Sequence, residues 1–219
     1  MKRKTAITLI LCVIATTLTA KAQQVGIDAV RIAGSVGDNN TCEMFVCTEA
    51  GIDASLGRWQ ASFAASYSTE QIAAVGLRQS YRLDKEGKWR TGGRILWRNL
   101  YGFNELSVAL YGGLHLDEWL FELGWSGRLS TFCEPMNLYY SAFWRPRIGE
   151  RWQLSAGVAN HDSMIIERAH SPLLSLGCIY RPTDNLLLVA TTVLHQSGMF
   201  NLSAEYYESY IKVGVEWLW

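Results

Sequence analysis

The sequence lacks a long apolar run beyond its first residues, a surplus of one charge, and the composition of a disordered chain. After residue 22, no run reaches the roughly 18 apolar residues that a membrane-spanning helix needs, which argues against a helical membrane protein. Lys and Arg number 20 and match the 20 Asp and Glu, so a strongly basic nucleic-acid binder is also excluded. Because 49% of the residues are apolar, the chain has enough apolar surface to fold.

Motifs that would indicate a bound ion or phosphate are also missing. There is no Gly-rich phosphate loop, no EF-hand loop and no CxxC or HxxxH spacing, so the sequence predicts no metal and no cofactor. Cys12 lies in the N-terminal apolar segment, and Cys42, Cys47, Cys133 and Cys178 follow it. On an extended strand Cys42 and Cys47 would be about 17 Å apart and could not bridge, whereas a turn between them would allow a disulfide. Disulfide pairing among Cys42, Cys47 and Cys133 therefore stays open.

The N-terminus has the three parts of a secretory signal peptide. A basic start at residues 2–4 precedes an apolar stretch at residues 6–15, and Ala20-Lys21-Ala22 offers an A-x-A cleavage site. We expect residues 1–22 to be the signal peptide and residues 23–219 to form one exported domain. That domain has 16 Lys and Arg against 20 Asp and Glu, a formal net charge of −4.

Apolar and polar residues alternate with a period of two along most of the chain. Trp59 and Phe63, for example, would share one face of a strand, while Gln60 and Ser62 would share the other. A half-buried strand needs this pattern, whereas a helix would scatter these residues around its circumference. The sequence predicts 12 strands, at about residues 25–35, 42–56, 59–68, 71–83, 88–100, 105–116, 119–129, 136–146, 151–160, 172–182, 186–196 and 210–219.

Strand length and tryptophan position favour a membrane barrel over a soluble β-sandwich. The predicted strands run to about ten residues or more, whereas strands of soluble proteins usually have about five or six. Trp59, Trp89, Trp119 and Trp152 each open a strand directly after a charged residue, as expected of rings at the headgroup level of a bilayer. We therefore predict an all-β fold, a single antiparallel up-and-down transmembrane β-barrel. The predicted interfacial girdle comprises Trp59, Trp89, Trp119, Trp144, Trp152, Tyr180, Trp217 and Trp219.

The C-terminal strand carries a resemblance to a known family. Residues 213–219 alternate and end on the aromatic Trp219, and an Arg-Pro-Thr-Asp-Asn turn occupies residues 181–185. Together with the signal peptide, these features resemble a small Gram-negative outer-membrane β-barrel, and the Ala22-Gln23-Gln24 junction and turn style resemble barrels of the Bacteroidota. The resemblance implies location in the outer membrane, contact with its lipid, and recognition of the last strand by the barrel-insertion machinery. A secreted soluble β protein is the other interpretation of the alternation.

If the tryptophan faces point to lipid, the alternate residues line the interior. By this parity the inner face carries nine basic and five acidic residues, an excess of four positive charges. Such a set either fills a narrow barrel with ion pairs or lines a polar pore that prefers anions. Arg90, Arg94 and Arg98 best support a pore, because spacing of four keeps them on one face of a strand. The predicted interior residues are Arg78, Arg82, Arg90, Arg94, Arg98, Arg128, Arg145, Arg181 and Lys212, with Glu49, Asp53, Glu105, Glu122 and Glu216.

One short motif offers an enzymatic alternative. His195-Gln196-Ser197 resembles the His-x-Ser of outer-membrane phospholipase A and of lipid A deacylases, so His195 could activate Ser197. Spacing of two puts both on one side of a strand, and the apolar residues before them predict that this side faces lipid. The chain departs from the phospholipase pattern at Gly198-Met199, and no motif selects an orienting residue. We therefore predict a barrel without enzymatic activity, either a narrow diffusion channel or a structural or accessory barrel of the cell envelope.

Overall fold

The computed structural model describes residues 25–39, 44–69, 72–100, 102–129, 137–161, 172–197 and 205–219 of the chain. The regular secondary structure in these ranges is β-strand, and no helix there is long and apolar enough to cross a membrane. The strands are β1 Gly26–Asn39, β2 Met44–Leu56, β3 Trp59–Ser68, β4 Ile72–Arg82, β5 Trp89–Leu100, β6 Phe103–His115, β7 Trp119–Leu129, β8 Asn137–Trp144, β9 Arg147–Ile148, β10 Trp152–Ala159, β11 Leu173–Thr183, β12 Leu186–Ser197 and β13 Glu205–Leu218.

Twelve of these strands form a closed antiparallel barrel, which confirms the predicted fold class. Strands that follow each other in the chain pair with each other, and β1 closes the ring on β13. The extra strand, β9, is a two-residue segment that pairs with β10 beside the main β8–β10 pairing. Within the described ranges each of the twelve main strands therefore has a partner on both sides, as a membrane-spanning β-structure requires.

The first and last strands are longer than the sequence predicts. β1 continues to Asn39, where we expected a loop from residue 37, and β13 begins at Glu205 instead of at about residue 210. The extensions pair with each other, since Asp38 lies opposite Ser209 in the closing ladder. Hydrogen bonds from the partner strand therefore extend both strands through a stretch whose own polarity pattern is weak.

Short turns join the strands at one rim of the barrel, which we call the turn end. Residues 57–58 form the turn between β2 and β3, and residues 184–185 form the turn between β11 and β12. Trp219 also lies at this rim, where its backbone N–H donates to the Asp28 carbonyl oxygen at 3.1 Å. We call the opposite rim the loop end, and the parts of the interior next to each rim the turn half and the loop half.

Local backbone chemistry stabilises the turns. Gly57 has a φ of 59°, in the left-handed region where a residue with a Cβ is strained. In the turn before β5, the Asp84 carboxylate accepts backbone N–H bonds from Lys88 at 3.2 Å and from Trp89 at 2.9 Å. These contacts fix the entry into β5 without help from the barrel interior.

The outer face is apolar, and the girdle residues lie on it at the turn end. Trp89, Trp217 and Trp219 are exposed there. Antiparallel register places the other aromatic residues opposite one another on neighbouring strands. The ring centroids are 4.9 Å apart for Trp59 and Tyr81, 6.2 Å for Trp119 and Trp144, and 4.5 Å for Trp152 and Tyr180.

A second aromatic band, which the sequence analysis did not identify, lies on the outer face toward the loop end. Tyr67, Trp97 and Trp125 are exposed there. Eight residues separate Trp89 from Trp97, which is about 27 Å of strand, or about 21 Å along the barrel axis at a tilt of about 40°. This spacing is close to the roughly 25 Å apolar band of outer-membrane barrels. The sequence could have revealed this band, because each of its residues lies an even number of positions from a girdle residue of the same strand and therefore shares its face.

Candidate functional site

The interior of the barrel is the candidate functional site, and its two halves differ in packing. In the loop half the inner-face side chains are almost fully buried: Leu96 and Tyr139 are 0% exposed and Arg98 is 5% exposed. In the turn half charged side chains keep contact with water, since the side chains of Arg78 and Asp53 are 35% and 26% exposed. The interior is therefore closed toward the loop end and open toward the turn end.

Ion pairs on adjacent strands contribute to closing the loop half. Arg98 donates from Nε to Glu105 Oε1 at 3.1 Å and from Nη2 to the same oxygen, and Arg128 Nε lies 4.0 Å from it. His195 Nδ1 lies 3.7 Å from Glu208 Oε2. Arg98 lies opposite Glu105 in the β5–β6 ladder, and His195 lies opposite Glu208 in the β12–β13 ladder. The sheet register thus brings the two members of each pair together.

Aromatic rings fill the space between the ion pairs. The ring of Tyr139 stacks on Tyr111 with centroids 5.5 Å apart and on His161 with centroids 4.1 Å apart. On the opposite side of the interior from Tyr139, the rings of Phe45 and Tyr210 make an edge contact with their centroids 6.2 Å apart. Rings packed in this way fill this part of the interior, and a smaller cavity of about 210 Å³ remains along β10, β11 and β12.

Glu122, whose side chain is 1% exposed, joins several polar groups in the turn half. It accepts a bond from Arg78 Nη2 and one from Ser141 Oγ at 3.2 Å, and His115 Nε2 lies 3.6 Å from Oε1. Arg78 also donates from Nε to Tyr111 Oη at 2.8 Å, with its guanidinium 4.8 Å from the ring centroid. A buried carboxylate needs several such partners, because an unpaired charge away from water is costly.

A second polar network crosses β1, β2, β3 and β13. Arg31 donates from Nη1 to Asp53 Oδ2 at 3.2 Å and from Nη2 to Ser62 Oγ at 3.1 Å. Glu49 lies 3.8 Å from Arg31 Nε and accepts a bond from Lys212 Nζ at 2.7 Å. Ion pairs of this network therefore neutralise most of the charged side chains on this part of the barrel wall.

A cavity of about 450 Å³ occupies the turn half, and charges of opposite sign line different parts of it. Arg90 and Arg145 belong to its basic lining, and Asp28 and Glu216 to its acidic lining. Arg90 Nη1 donates to Gln60 Oε1 at 2.5 Å. Among the described residues, neither of these arginines has a carboxylate within 4.0 Å, and neither of these acids has a basic group within that distance.

Most of the predicted interior residues lie on the inner face, distributed between the two halves. Of the three arginines predicted on one face of β5, Arg90 lines the cavity, whereas Arg94 and Arg98 are buried in the loop half. Glu105 and Arg128 also lie in the loop half, Lys212 and Glu49 lie between the halves, and Arg78, Arg82, Asp53, Glu122, Arg145 and Glu216 lie in the turn half.

The charge of the inner face differs from the prediction. Arg181 is exposed at the turn end, within the register shift between Tyr180 and Thr183 that interrupts the alternation of the β11–β12 pair. Three charged residues that the prediction omitted face the interior: Arg31, Asp28 and Glu208. Replacing Arg181 by Arg31 leaves nine basic residues, and adding the two acids raises the acidic count from five to seven. On the described inner face the positive excess is therefore two instead of four.

The prediction that His195 faces lipid is wrong. The residue is 1% exposed and lies inside the barrel opposite Glu208. β12 is apolar on both faces, with Val193 buried inside and Leu194 exposed outside, so polarity could not distinguish its two sides. The Ser197 side chain lies outside the described part of the chain. A buried His195 has no access to a lipid ester at the outer face, and the hydrolase alternative loses its geometric support.

Some predictions fall on residues that the structure does not describe. They include the signal peptide at residues 1–22, as well as Cys42 and Cys133. Cys47 is buried on the inner face of β2, and Cys178 is half-buried in β11. Within the described ranges, no group of three or more His, Cys, Asp or Glu residues is placed to hold a metal ion.

Solved structures share this architecture, although no protein-family model and no curated protein matches the chain. The KdgM porin has a TM-score of 0.61 at 8% identity over 87% of this chain and 99% of its own. The NanC porin has a TM-score of 0.60 at 10% identity over 87% of this chain and 100% of its own. The translocator domain of the autotransporter NalP from Neisseria meningitidis has a TM-score of 0.53 at 9% identity over 99% of this chain and 96% of its own.

At these identities the likeness is one of fold: the chain has the β-barrel fold of outer-membrane porins. The same fold serves porins and the translocator domain of an autotransporter. Function must therefore be inferred from the interior side chains of this barrel.

Proposed function

We propose that the chain is a narrow outer-membrane channel that favours small anions and has no enzymatic activity. The apolar outer face between two aromatic bands supports a position in the outer membrane of a Gram-negative bacterium, with the turn end facing the periplasm. The turn style and the residue 22–24 junction favour a member of the Bacteroidota. Membrane lipid then surrounds the barrel, and the insertion machinery recognises the strand that ends at Trp219.

A group of arginines without ion-pair partners carries this proposal. Arg82, Arg90 and Arg145 have no carboxylate within 4.0 Å among the described residues, and the buried Nε of Arg82 has no hydrogen-bond partner there. A low-dielectric wall focuses the field of such charges and concentrates anions near them. Because the inner-face excess is two positive charges, we expect a weak preference. A porin of the same fold, KdgM, has been solved in complex with disordered oligogalacturonate, whose carboxylates make it an anion.

The closed loop half limits how much this channel conducts. Leu96 and Tyr139 are fully buried across the path toward the loop end, and Arg98 is paired with Glu105 beside them. A solute passes when these side chains move, so we expect conductance steps that are small and infrequent.

Planar bilayers test the proposal through the reversal potential in a potassium chloride gradient. We expect the folded wild-type protein to give small steps with a potential shifted toward that of chloride. The combined Arg82→Gln, Arg90→Gln and Arg145→Gln variant should lose this shift, because the charges that concentrate anions are gone. At 1 M salt the shift should shrink even in the wild type, since the screening length falls to about 3 Å.

A matched control removes three exposed arginines of the turn end, Arg147, Arg151 and Arg181, and changes the net charge by the same amount. This variant should keep most of the anion preference, because exposed charges are screened by salt. A cation preference of the wild type, or no conductance by folded protein, would contradict the channel proposal.

A further inference from the structure

The cavity of the turn half separates its unpaired charges by sign. The two acids without an ion pair among the described residues lie on neighbouring strands, Glu216 on β13 and Asp28 on β1, and Asp53, which pairs with Arg31, lies beside them on β2. The basic side of the cavity includes Arg90 on β5 and Arg145, which directly follows β8. Several strands lie between these two groups in either direction around the wall.

Existing ion pairs leave both sides of the cavity incompletely neutralised. Arg31 pairs with Asp53, and Arg78 pairs with Glu122, so these charges are satisfied by the protein. The remaining acids, Asp28 and Glu216, have no cation within 4.0 Å among the described residues, and the Asp28 carboxylate accepts a bond from Ser55 Oγ at 2.8 Å. Two acids therefore face the cavity without a counter-ion from the described residues.

The basic side is equally incomplete. Arg90 is held by neutral acceptors, Gln60 Oε1 at 2.5 Å and the Gly87 carbonyl oxygen at 3.2 Å. The Arg145 guanidinium lies 5.0 Å from the ring centroid of Phe143, which orients it without neutralising it. Guanidinium N–H groups of both arginines remain available to a carboxylate.

We propose that this cavity binds a small zwitterionic solute, with its carboxylate at Arg90 and Arg145 and its ammonium group at Glu216 and Asp28. A cavity of about 450 Å³ is within the size range of small-molecule sites. Separate ions would each satisfy one side and would each lose translational freedom. A solute that carries both charges on one chain loses that freedom once, so its second charge binds at a high effective concentration.

The proposal goes beyond anion preference, because it gives the acidic side a role that an anion channel does not require. An anion should bind better when Glu216 is neutralised, since a repulsive charge is removed. A zwitterion should bind worse, since its ammonium group loses a partner. The Glu216→Gln variant therefore distinguishes an anion site from a zwitterion site, because the affinity should rise for an anion and fall for a zwitterion.

Calorimetric titration of the folded protein in detergent at low salt tests the site with three probes of equal chain length. These are 4-aminobutanoate, which carries both charges, butanoate, which carries the negative charge, and butylammonium, which carries the positive charge. We expect 4-aminobutanoate to bind at least about tenfold more tightly than either of the others, since each charge-assisted hydrogen bond lost weakens binding by about that factor or more.

Variants then assign the two ends of the probe. Arg90→Gln with Arg145→Gln should weaken 4-aminobutanoate and butanoate by about tenfold or more and leave butylammonium unchanged or improved. Glu216→Gln should weaken 4-aminobutanoate and butylammonium but not butanoate. Arg181→Gln and Glu150→Gln, which change exposed charges at turn-end positions, should change none of the affinities beyond about twofold.

Each other outcome overturns the inference. Equal affinity for 4-aminobutanoate and butanoate would mean a plain anion site, and it would leave the proposed channel function intact. Loss of binding in the Arg181→Gln or Glu150→Gln variant would place the ligand at the exposed rim. Each variant is first checked for the faster gel mobility of an unboiled folded barrel, so that misfolding is not mistaken for loss of the site.

Discussion

The loop half and the turn half of the barrel interior are built by the same strands, and yet side chains fill most of the loop half while the turn half holds the larger cavity. In the loop half large side chains such as Tyr139 and Tyr210 face inward and are nearly fully buried. In the turn half small side chains such as Ser62 and Ser80 line the cavity beside the charged residues. Side-chain volume and charge pairing therefore distinguish the two halves.

The largest expected effect comes from removing a ring of the loop half. Tyr139 is fully buried between Tyr111 and His161, so Tyr139→Ala should cost about 3–5 kcal/mol of unfolding free energy, as for other large aromatic truncations. It should also raise single-channel conductance, because the space becomes available to water. Gln60→Ala in the turn half should cost about 1 kcal/mol or less. Denaturant titration in lipid vesicles measures both free energies.

Tyr139→Phe is the control for this comparison. The buried hydroxyl of Tyr139 has no hydrogen-bond partner among the described residues, so its removal relieves an unsatisfied polar group. The variant should be as stable as the wild type or slightly more stable, with unchanged conductance. If Tyr139→Ala cost no more than Gln60→Ala, the loop half would not be the closed part of the barrel.

A smaller effect distinguishes the ion pairs of the two halves. Arg98→Met leaves Glu105 largely buried without its close partner, and the loss should be about 3 kcal/mol. Arg31→Met leaves Asp53 on the water-filled cavity, and the loss should be about 1 kcal/mol or less. Glu49, the other acid near Arg31, keeps Lys212 at 2.7 Å.

Salt provides the decisive measurement for these two pairs. At 1 M salt the cost of Arg31→Met should nearly disappear, because ions enter the turn half and screen the pair. The cost of Arg98→Met should persist, since Glu105 is largely buried and is less accessible to ions. Equal salt sensitivity of the two variants would show that both halves are open to solvent.

The sequence predicts the strands well because alternation is a local property. Trp59 and Ser62 take opposite faces as their parity requires, with Trp59 exposed outside and Ser62 lining the cavity. Where a strand breaks the alternation, the prediction fails. A register shift between Ile27 and Ala29 interrupts β1, and the inward position of Arg31 was missed there. β12 is apolar on both faces, and the side of His195 was assigned wrongly.

The closed half and the cavity could not be predicted from the sequence. Arg78 and Glu122 are 44 residues apart, and they meet because the barrel closes and the intervening strands are staggered. Lys212 and Glu49 are 163 residues apart and meet across the β13–β1–β2 junction. Such pairs depend on strand register and side-chain volume together, neither of which is encoded in a local window.

The smallest expected effect concerns the turn end, where local contacts rather than interior packing hold the rim. Desolvation raises the pKa of Asp84, but the backbone N–H bonds from Trp89 and Lys88 together outweigh it and hold the pKa below its usual range. The folded state therefore favours the ionised carboxylate. Its contribution is present above the unfolded pKa of about 3.9 and is lost as pH falls through the lower folded value.

Asp84→Asn should therefore lower stability slightly at pH 7, and the difference from the wild type should vanish as pH falls below about 4. Asp117→Asn is the matched control, because its carboxylate, in the turn before β7, accepts no hydrogen bond among the described residues. Denaturant titrations of both variants at pH 7 and pH 3 measure the effect. A difference for Asp84→Asn that grew at low pH would mean that protonated Asp84, and not its carboxylate, stabilises the turn.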